Sequence, residues 1–278
     1  MLKKFFIFSK EDDFSECVFS ELKNEFGQTM KLIDQNKDYF LYYINKDSSF
    51  IYFNEMHLNL DSFKYDILNQ EKAIYYFISK HKSKDGPGYF TIHFTGCYLT
   101  ADFGGKDNTL SIAQPEIKDY FFENYNKNIK HFMEVTHHGP LFLRPHIYIE
   151  VGPDKASWNN KELIQEYIAW IKPLFGAKIE FKNKQEAVLI GGPHYFSFEE
   201  IQNIESSAGV SIGHIIPKYV LTQIENNSLL EKLIQEAILK TPNCKKIIIN
   251  KSYVAKYSAL VAVINKINTK NDYELINL

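Results

Sequence analysis

The chain has 278 residues, of which 45% are hydrophobic and 24% are charged, and its formal net charge is -2. These values are ordinary for a soluble globular protein, and the charge lacks the basic footprint of many nucleic-acid-binding domains without excluding an RNA partner. No apolar run is long enough to span a bilayer or to form a secretion signal. The cysteines, Cys17, Cys97 and Cys244, are odd in number and widely spaced, which predicts no disulfide framework and favours the reducing cytoplasm.

Short apolar segments rich in Ile, Val, Phe and Tyr alternate along the chain with longer segments of helical periodicity. The predicted strands cover residues 4–8, 73–79, 89–95, 131–136, 145–151, 186–191, 211–216 and 245–250. The predicted helices cover residues 14–25, 114–129, 160–174, 198–207 and 227–240. The alternation predicts an α/β fold, a three-layer α/β/α sandwich with a mixed sheet. We expect one domain over residues 1–278, or one with a smaller subdomain from insertions within roughly residues 20–70 and 97–130.

Histidine is the most informative residue type, because four predicted strands each end near one. The histidines at these strand ends are His81, His93, the adjacent pair His137 and His138, and His194. Ligands of open α/β sheets bind at the carboxyl ends of strands, so we expect these imidazoles to converge in one cleft. Glycines beside three of the ends, which permit close backbone approach to a ligand, are Gly96, Gly139, Gly191 and Gly192.

The adjacent His137 and His138 pose a geometric question. In strand geometry they would point to opposite faces, so that one faces the cleft and the other is structural, unless the turn at Gly139 rotates them together. Glu134 shares a strand face with Thr136 and could orient an imidazole or act as a general base. A neutral imidazole is both a common metal ligand and a base near neutral pH.

The remaining histidines carry weaker signals. His57 and His131 are interpreted as structural or surface residues, and His146 as either structural or functional. His214 lies in the apolar segment 212–216, which predicts a buried histidine with satisfied hydrogen bonds.

The order of these motifs resembles the archaeal and plant-type D-aminoacyl-tRNA deacylase family. Residues 134–140 resemble its EVTHHGP motif, residues 191–195 its GGGHY motif, residues 79–81 its SRH segment and residues 93–96 its HxxGN segment. The likeness runs from the first strand to about residue 220. It departs at Pro193, which replaces the third glycine of GGGHY, at Cys97, which replaces an asparagine, and at Lys80, which replaces an arginine.

The resemblance implies hydrolysis of the ester between a D-amino acid and the terminal ribose of tRNA. It also implies zinc as a cofactor, D-aminoacyl-tRNA as the partner, and a phosphorylase/hydrolase-like fold. No obligate protein partner is evident. We expect the catalytic residues to be His137, His138, His194, Glu134 and Thr136. The expected substrate-binding residues are His81, His93, Thr95, Gly96, Gly139, Gly191, Gly192 and Tyr195. The expected zinc ligands are His93, His138 and His194.

Two roles within this chemistry are open. Water is expected to attack the ester carbonyl, activated either by zinc or by a histidine acting as general base. Thr136 and the backbone amides of Gly191 and Gly192 are expected to bind the developing oxyanion.

Two other functions are consistent with the sequence. One is a zinc-dependent peptidase or amidase of the same fold, which would need three clear ligands, typically including a carboxylate. The other is a catalytically impaired tRNA-binding family member, which the replacement at Pro193 suggests. The chain lacks a GxSxG nucleophile elbow, an HExxH motif and a glycine-rich phosphate loop anchored by Lys or Arg. These absences disfavour a serine hydrolase and a nucleoside phosphorylase-like enzyme.

Overall fold

Strands and helices alternate in the computed structural model, which describes residues 2–84, 86–178, 184–224, 226–254 and 257–278, apart from the side chains of residues 258 and 270. The strands are β1 (Lys3–Ser9), β2 (Lys31–Gln35), β3 (Tyr39–Asn45), β4 (Ser48–Phe53), β5 (Ala73–Lys80), β6 (Tyr89–His93), β7 (Gly96–Cys97), β8 (Thr109–Leu110), β9 (Lys130–Glu134), β10 (His146–Gly152), β11 (Glu186–Ile190), β12 (Tyr195–Ser197), β13 (Ser211–Ile216), β14 (Cys244–Ile249) and β15 (Glu274–Asn277). The α-helices are α1 (Asp13–Phe26), α2 (Pro115–Glu123), α3 (Lys155–Trp158), α4 (Lys161–Ile171), α5 (Phe198–Ala208), α6 (Lys218–Gln223), α7 (Asn227–Leu239), α8 (Lys251–Val254) and α9 (Ser258–Asn271). Short 3₁₀ helices cover Gly27–Thr29, His57–Asn59, Asp66–Leu68 and Lys172–Phe175.

The largest sheet has nine strands in the order β12-β9-β6-β10-β5-β1-β4-β3-β2. Strand β1 pairs in parallel with β4 and β5, and β10 continues this parallel set beside β5. Strands β6 and β9 run the opposite way, because β6 is antiparallel to β10 and parallel to β9. The sheet is therefore mixed, and the ends of β5 and β6 point in opposite directions.

A second, parallel sheet has the order β13-β11-β14-β15. After β11, residues 191–194 leave this sheet, and β12 then pairs antiparallel with β9 in the large sheet. The chain therefore links the two sheets at the predicted histidine motif 191–195.

The core follows from the two-residue periodicity of the strands. In β1, Phe6 and Phe8 join the apolar cluster that contains residues of α1, α2, α4 and α5, whereas Phe5 and Ile7 join a smaller cluster on the opposite face. A third cluster lies between the second sheet and helices α7 and α9. The predicted α/β class with a mixed sheet is confirmed and is consistent with layered packing, although the four-stranded sheet was not predicted as a separate unit.

The structure contains several elements that the sequence patterns do not predict: strands β2 to β4, β7, β8, β12 and β15 and helices α3, α6, α8 and α9. In addition, the helix expected over residues 114–129 ends at Glu123. That helix ends early because residues 124–128 are rich in asparagine, whose side chain competes for backbone hydrogen bonds. The side chain of Asn124, for example, donates to the carbonyl of Tyr120 at 2.8 Å. Within the described residues, no helix is long and apolar enough to cross a membrane.

Candidate active site

The candidate site lies on one face of the large sheet. The sequence predicted instead that its residues would lie along one shared edge, at the carboxyl ends of the strands. His81 follows β5 and His93 ends β6, and these strands run in opposite directions. The side chains meet because alternate residues of neighbouring strands project from the same face. Across β6 and β10, His93 is opposite Tyr148, and Glu150 lies two residues further along β10.

Two buried carboxylates, Glu134 and Glu150, form the centre of the site. The Nδ1 of His81 lies 3.1 Å from Glu134 Oε1 and 3.2 Å from Glu150 Oε2. The Nε2 of His81 lies 2.8 Å from the hydroxyl oxygen of Tyr195. The other oxygen of Glu134, Oε2, lies 2.9 Å from His194 Nε2. Each buried negative charge is thereby compensated by imidazole groups, without which its burial would be strongly unfavourable.

The ionisation of this cluster is set by a competition between burial and opposite charge. Burial alone would lower the pKa of His81, but the carboxylates of Glu134 and Glu150 raise it to about 9. Burial also opposes ionisation of Glu134, yet His81 and the hydrogen-bonded His194 lower its pKa. Despite burial, His81 and His93 hold the pKa of Glu150 well below its usual range. At neutral pH both carboxylates are therefore ionised and His81 is protonated.

Beside this cluster, His93, His137 and His138 form a compact group of imidazoles. The ring centroids are 4.3 Å apart for His93 and His137, 4.7 Å for His93 and His138, and 4.4 Å for His137 and His138. His93 is fully buried, and its Nε2 makes no hydrogen bond within the described part of the chain. The nearby Glu150 Oε2 is 3.5 Å away. Although burial opposes it, Glu150 raises the pKa of His93, so a metal ion that bound Nε2 would displace a proton from this ring.

The tautomers of His137 and His138 follow from their backbone contacts. Their Nδ1 atoms lie 2.9 Å and 2.6 Å from the carbonyl oxygens of Val135 and Gly139, so each Nδ1 donates a hydrogen bond. Burial lowers the pKa of His137 well below its ordinary value and that of His138 to about 4. Both rings are therefore neutral at pH 7, with a lone pair on Nε2.

His137 and His138 face the same cavity although adjacent strand residues alternate. Strand β9 ends at Glu134, and His138 has a φ of 41°, in the left-handed region. Of the two alternatives left open by the sequence, the turn therefore rotates both rings together. Gly139 makes this possible by close packing, since a Cβ there would lie 2.2 Å from the amide nitrogen of Gly105.

A cavity of about 290 Å³ opens beside these rings. His137 and His138 line it together with Gly96, Phe103 and Tyr219. The amide of Gly96 donates to the carbonyl of His138 at 2.7 Å, which holds the cavity wall against the loop that carries His137 and His138, here called the histidine loop. The volume is near the lower end of ligand sites, roughly 300–1,000 Å³, so the cavity suits one small group.

His194 lies at the junction of the two sheets. Its carbonyl accepts a hydrogen bond from the amide of Val135 at 3.1 Å, and its side chain is 31% exposed. Gly191 and Gly192, which precede it, have φ of 89° and 151°, and a Cβ on Gly192 would lie 2.2 Å from the Phe196 ring. Glycine is therefore needed at both positions, because the backbone turn and the close packing that bring His194 to Glu134 leave little room for a side chain.

The expected oxyanion donors require correction, because two of them already have partners. The hydroxyl oxygen of Thr136 lies 2.8 Å from His214 Nδ1. The amide of Gly191 donates to the carbonyl of Ile216 at 2.8 Å. Thr136 is therefore assigned to positioning the histidine loop, and the Gly191 amide is not available to an oxyanion. His214 is a satisfied core histidine as predicted, since its Nε2 contacts the carbonyl oxygen of Ser111 at 2.9 Å.

The other polar residues of the sequence motifs are structural in their contacts. The hydroxyl of Thr95 donates to the carbonyl of Pro140 at 2.9 Å and lies 2.9 Å from His146 Nε2. Burial lowers the pKa of His146 to about 3 and that of His131 to about 4, so both are neutral. His57 is also fully buried. Thr95, which was expected to bind substrate, instead contacts the histidine loop through the carbonyl of Pro140.

Three groups of side chains bring possible metal ligands within 4.8 Å of one another. They are His93 with His137 and His138, Glu134 with His137 and His194, and His81 with Glu134 and Glu150. The expected ligand set of His93, His138 and His194 is not among the groups found in the described residues. His137 takes the place of His194 beside the other two, and it is shared by the first two groups.

The sequence interpretation did not assign Glu150, Phe103 or Tyr219 to the site. Glu150 carried a usable signal, because a carboxylate within the apolar run of β10 is rarely buried without a partner. Phe103 and Tyr219 carried none, since neither lies in a periodic pattern that distinguishes a cavity wall from an ordinary surface.

A buried cluster of histidines and carboxylates in an α/β fold is typical of proteins that transfer protons or bind metal ions at an internal site. A family model described as D-aminoacyl-tRNA deacylase matches residues 68–274. The chain therefore belongs to the D-aminoacyl-tRNA deacylase family, as the ordered motifs predicted.

Relatives from several archaea support this assignment. A D-aminoacyl-tRNA deacylase of Thermococcus onnurineus is 30% identical over 246 residues, covering 84% of this chain and 85% of the relative. One of Picrophilus torridus is 29% identical over 211 residues, covering 72% of this chain and 74% of the relative. The fold also resembles a crystal structure of a conserved protein of unknown function, with a TM-score of 0.77 at 22% identity over 99% of this chain and 95% of that one.

Proposed function

We propose that this protein hydrolyses the ester bond of D-aminoacyl-tRNA in the cytoplasm, releasing the free D-amino acid and tRNA. The observation that carries the proposal is that the buried carboxylate of Glu134 contacts His194 and His81 beside a cavity lined by His137 and His138. The reaction would remove D-amino acids from the translation pool. The family assignment and the names of the relatives support this substrate over a peptide or a purely binding role.

Glu134 and His194 are proposed to act as the general base. Because Glu134 is ionised, it accepts a hydrogen bond from the Nε2–H of His194, which leaves Nδ1 as the basic nitrogen. The partly exposed His194 ring then removes a proton from water as the water oxygen bonds to the ester carbonyl carbon. When the bond from that carbon to the ribose oxygen breaks, the protonated ring returns the proton to the ribose oxygen.

His81 and Tyr195 are proposed to hold this base in place. The imidazolium of His81 contacts both Glu134 and Glu150, and the hydroxyl of Tyr195 fixes its Nε2. A protonated His81 keeps Glu134 ionised at neutral pH, so that Glu134 stays an acceptor for His194.

Zinc fits the histidine group of this site. The neutral rings of His137 and His138 donate through Nδ1 to backbone carbonyls, the usual second contact of a metal-bound histidine, and the Nε2 of His93 has no hydrogen-bond partner among the described residues. We propose that His93, His137 and His138 hold the ion. When bound, zinc would polarise the ester carbonyl and lower the pKa of water.

The test is incubation of the purified protein with D-tyrosyl-tRNA and with L-tyrosyl-tRNA, before and after chelation and zinc addition. We expect release of D-tyrosine while the L-ester stays intact. Loss of activity on chelation and recovery with zinc would support the metal assignment. A folded, zinc-treated protein that leaves D-tyrosyl-tRNA uncleaved would refute the proposed function, and cleavage of dipeptides instead would favour a peptidase.

A further inference from the structure

Two large aromatic side chains are exposed at the mouth of the cavity. The side chain of Phe103 is 68% exposed and that of Tyr219 is 40% exposed, and both line the cavity together with His137 and His138. Exposed apolar surface that is grouped beside polar residues commonly marks a binding site. The mechanism described above uses neither ring.

Phe103 is displayed on a loop whose backbone is held firmly against the site. The carbonyl of Phe103 accepts a hydrogen bond from the amide of Gly139 at 2.9 Å, and Gly139 packs against Gly104 and Gly105 with no room for a Cβ. The ring is therefore exposed although its backbone is fixed. This arrangement presents a flat apolar surface in a defined position next to His138.

Tyr219 is held from the other side of the cavity. It lies in α6, and the amide of the preceding Lys218 donates to the carbonyl of Gly192 at 3.1 Å. Its ring is 6.1 Å from the ring of His194, with an interplanar angle of 24°. The segment that positions the proposed base therefore also positions Tyr219.

An exposed lysine lies near each aromatic residue, Lys218 directly before Tyr219 and Lys106 three residues after Phe103. The acidic Asp102 adjoins Phe103 and also lines the cavity, so the charge beside Phe103 is mixed. Neither lysine forms an ion pair within the part of the chain that the structure describes. Aromatic rings flanked by unpaired cations are the usual means of binding unpaired nucleotides, through base stacking and phosphate contacts.

We propose that Phe103 and Tyr219 stack on unpaired bases at the 3′ end of the substrate, and that Lys106 and Lys218 contact the adjoining phosphates. This inference rests on the proposed function, because the ester to be cut joins the amino acid to a ribose that carries an adenine. The cavity of about 290 Å³ excludes a nucleic-acid duplex, so only an unpaired end enters. Stacking would place the terminal ribose beside His138 and His194.

The experiment compares Phe103→Ala and Tyr219→Ala with Phe63→Ala. Phe63 is a matched control because it is 67% exposed and does not line the cavity. Each variant is assayed with D-tyrosyl-tRNA and with the methyl ester of D-tyrosine, which lacks the nucleotide. We expect the KM for D-tyrosyl-tRNA to rise roughly 5- to 100-fold in both cavity variants, more than any change with the methyl ester. Phe103→Tyr and Tyr219→Phe, which keep the rings, should stay within about threefold of the unmodified protein.

A binding measurement makes the inference independent of activity. Fluorescence anisotropy with a labelled CCA trinucleotide should show weaker binding for Phe103→Ala and Tyr219→Ala but not for Phe63→Ala. The combined Lys106→Gln and Lys218→Gln changes should flatten the salt dependence of that binding. Failure of the unmodified protein to cleave D-tyrosyl-tRNA would refute the proposed function. The trinucleotide binding assay would still test the stacking role, because it does not depend on cleavage. Unchanged trinucleotide binding and unchanged KM in both alanine variants would overturn the stacking role.

Discussion

The carboxylate of Glu134 meets the imidazole of His194 at 2.9 Å between Oε2 and Nε2, although the two residues are 60 positions apart. Glu134 ends β9, and His194 lies in the segment that leaves the second sheet and pairs with β9 through β12. The contact therefore depends on the joining of two sheets. This explains why the two sequence motifs are each informative and why neither alone defines the chemistry.

Replacing Glu134 by Gln should abolish most of the activity without changing the size of the side chain. The amide oxygen of Gln can accept a hydrogen bond from His194, but it carries no negative charge to stabilise the ring once it has taken a proton or to balance His81, so we expect kcat to fall about 10²- to 10⁴-fold. Steady-state hydrolysis of D-tyrosyl-tRNA measures this effect. Glu162→Gln, at an exposed position in α4, is the control and should retain normal activity. An active Glu134→Gln protein would exclude Glu134 from the base.

Zinc affinity should depend on His137, because it belongs to the proposed ligand group and is the one histidine shared by two of the three groups found in the described residues. We expect His137→Ala to weaken zinc binding at least tenfold, measured by competition with a chromophoric chelator. Cys97→Ala is the matched control from the same cavity, since the Cys97 thiol contacts the carbonyl of Gly104 at 3.3 Å and joins no ligand group among the described residues. Equal zinc affinity in His137→Ala and the unmodified protein would remove this residue from the metal assignment.

Much of the fold could be predicted because buried strands carry continuous apolar runs. Strands β5, β10 and β11 coincide closely with the predicted ones. Strand β2 could not be predicted, because all five of its residues are exposed and show no apolar pattern. Its extended conformation depends on its antiparallel pairing with β3. Helix α9 is rich in β-branched residues, which favour helix only weakly outside a tertiary context.

The site was predicted in composition but not in geometry. The residues near strand ends did converge, because periodicity identifies which strands are buried. Their relative arrangement depends on strand direction, and no local pattern showed that β6 and β9 run against β5 and β10. Likewise, the partners of Thr136 and Gly191 lie about 80 and 25 residues away, beyond any local signal.

Gly139→Ala tests whether the histidine loop requires close packing. A Cβ at Gly139 would lie 2.2 Å from the amide nitrogen of Gly105 and 2.3 Å from the carbonyl carbon of Gly104, so backbone must move. We expect the unfolding free energy to fall by about 1–3 kcal/mol and activity to drop as His138 shifts. Urea unfolding and the tRNA assay measure both effects. Among the described residues, no atom lies within 4 Å of a Cβ added at Gly176, so Gly176→Ala should be nearly neutral, and equal effects of the two changes would contradict this role.

Buried His214 should make the protein less stable in acid. Burial lowers its folded pKa to about 4, whereas an unfolded histidine has a pKa near 6.5. Because the folded pKa is depressed, the stability contributed by the neutral ring is fully present above pH ~6.5 and is lost as the pH falls towards ~4.

The variant His214→Gln removes this titration while keeping a polar side chain. At pH 7 it should unfold more easily than the unmodified protein, because the Thr136 hydroxyl loses its imidazole partner. The difference in unfolding free energy should narrow as the pH falls from ~6.5 to ~4, with a slope of at most about 1.4 kcal/mol per pH unit. Urea unfolding of chelator-treated protein at several pH values measures the gap without contributions from bound metal. A gap that stayed constant or widened in acid would mean that His214 is not held neutral by its burial between Thr136 and Ser111.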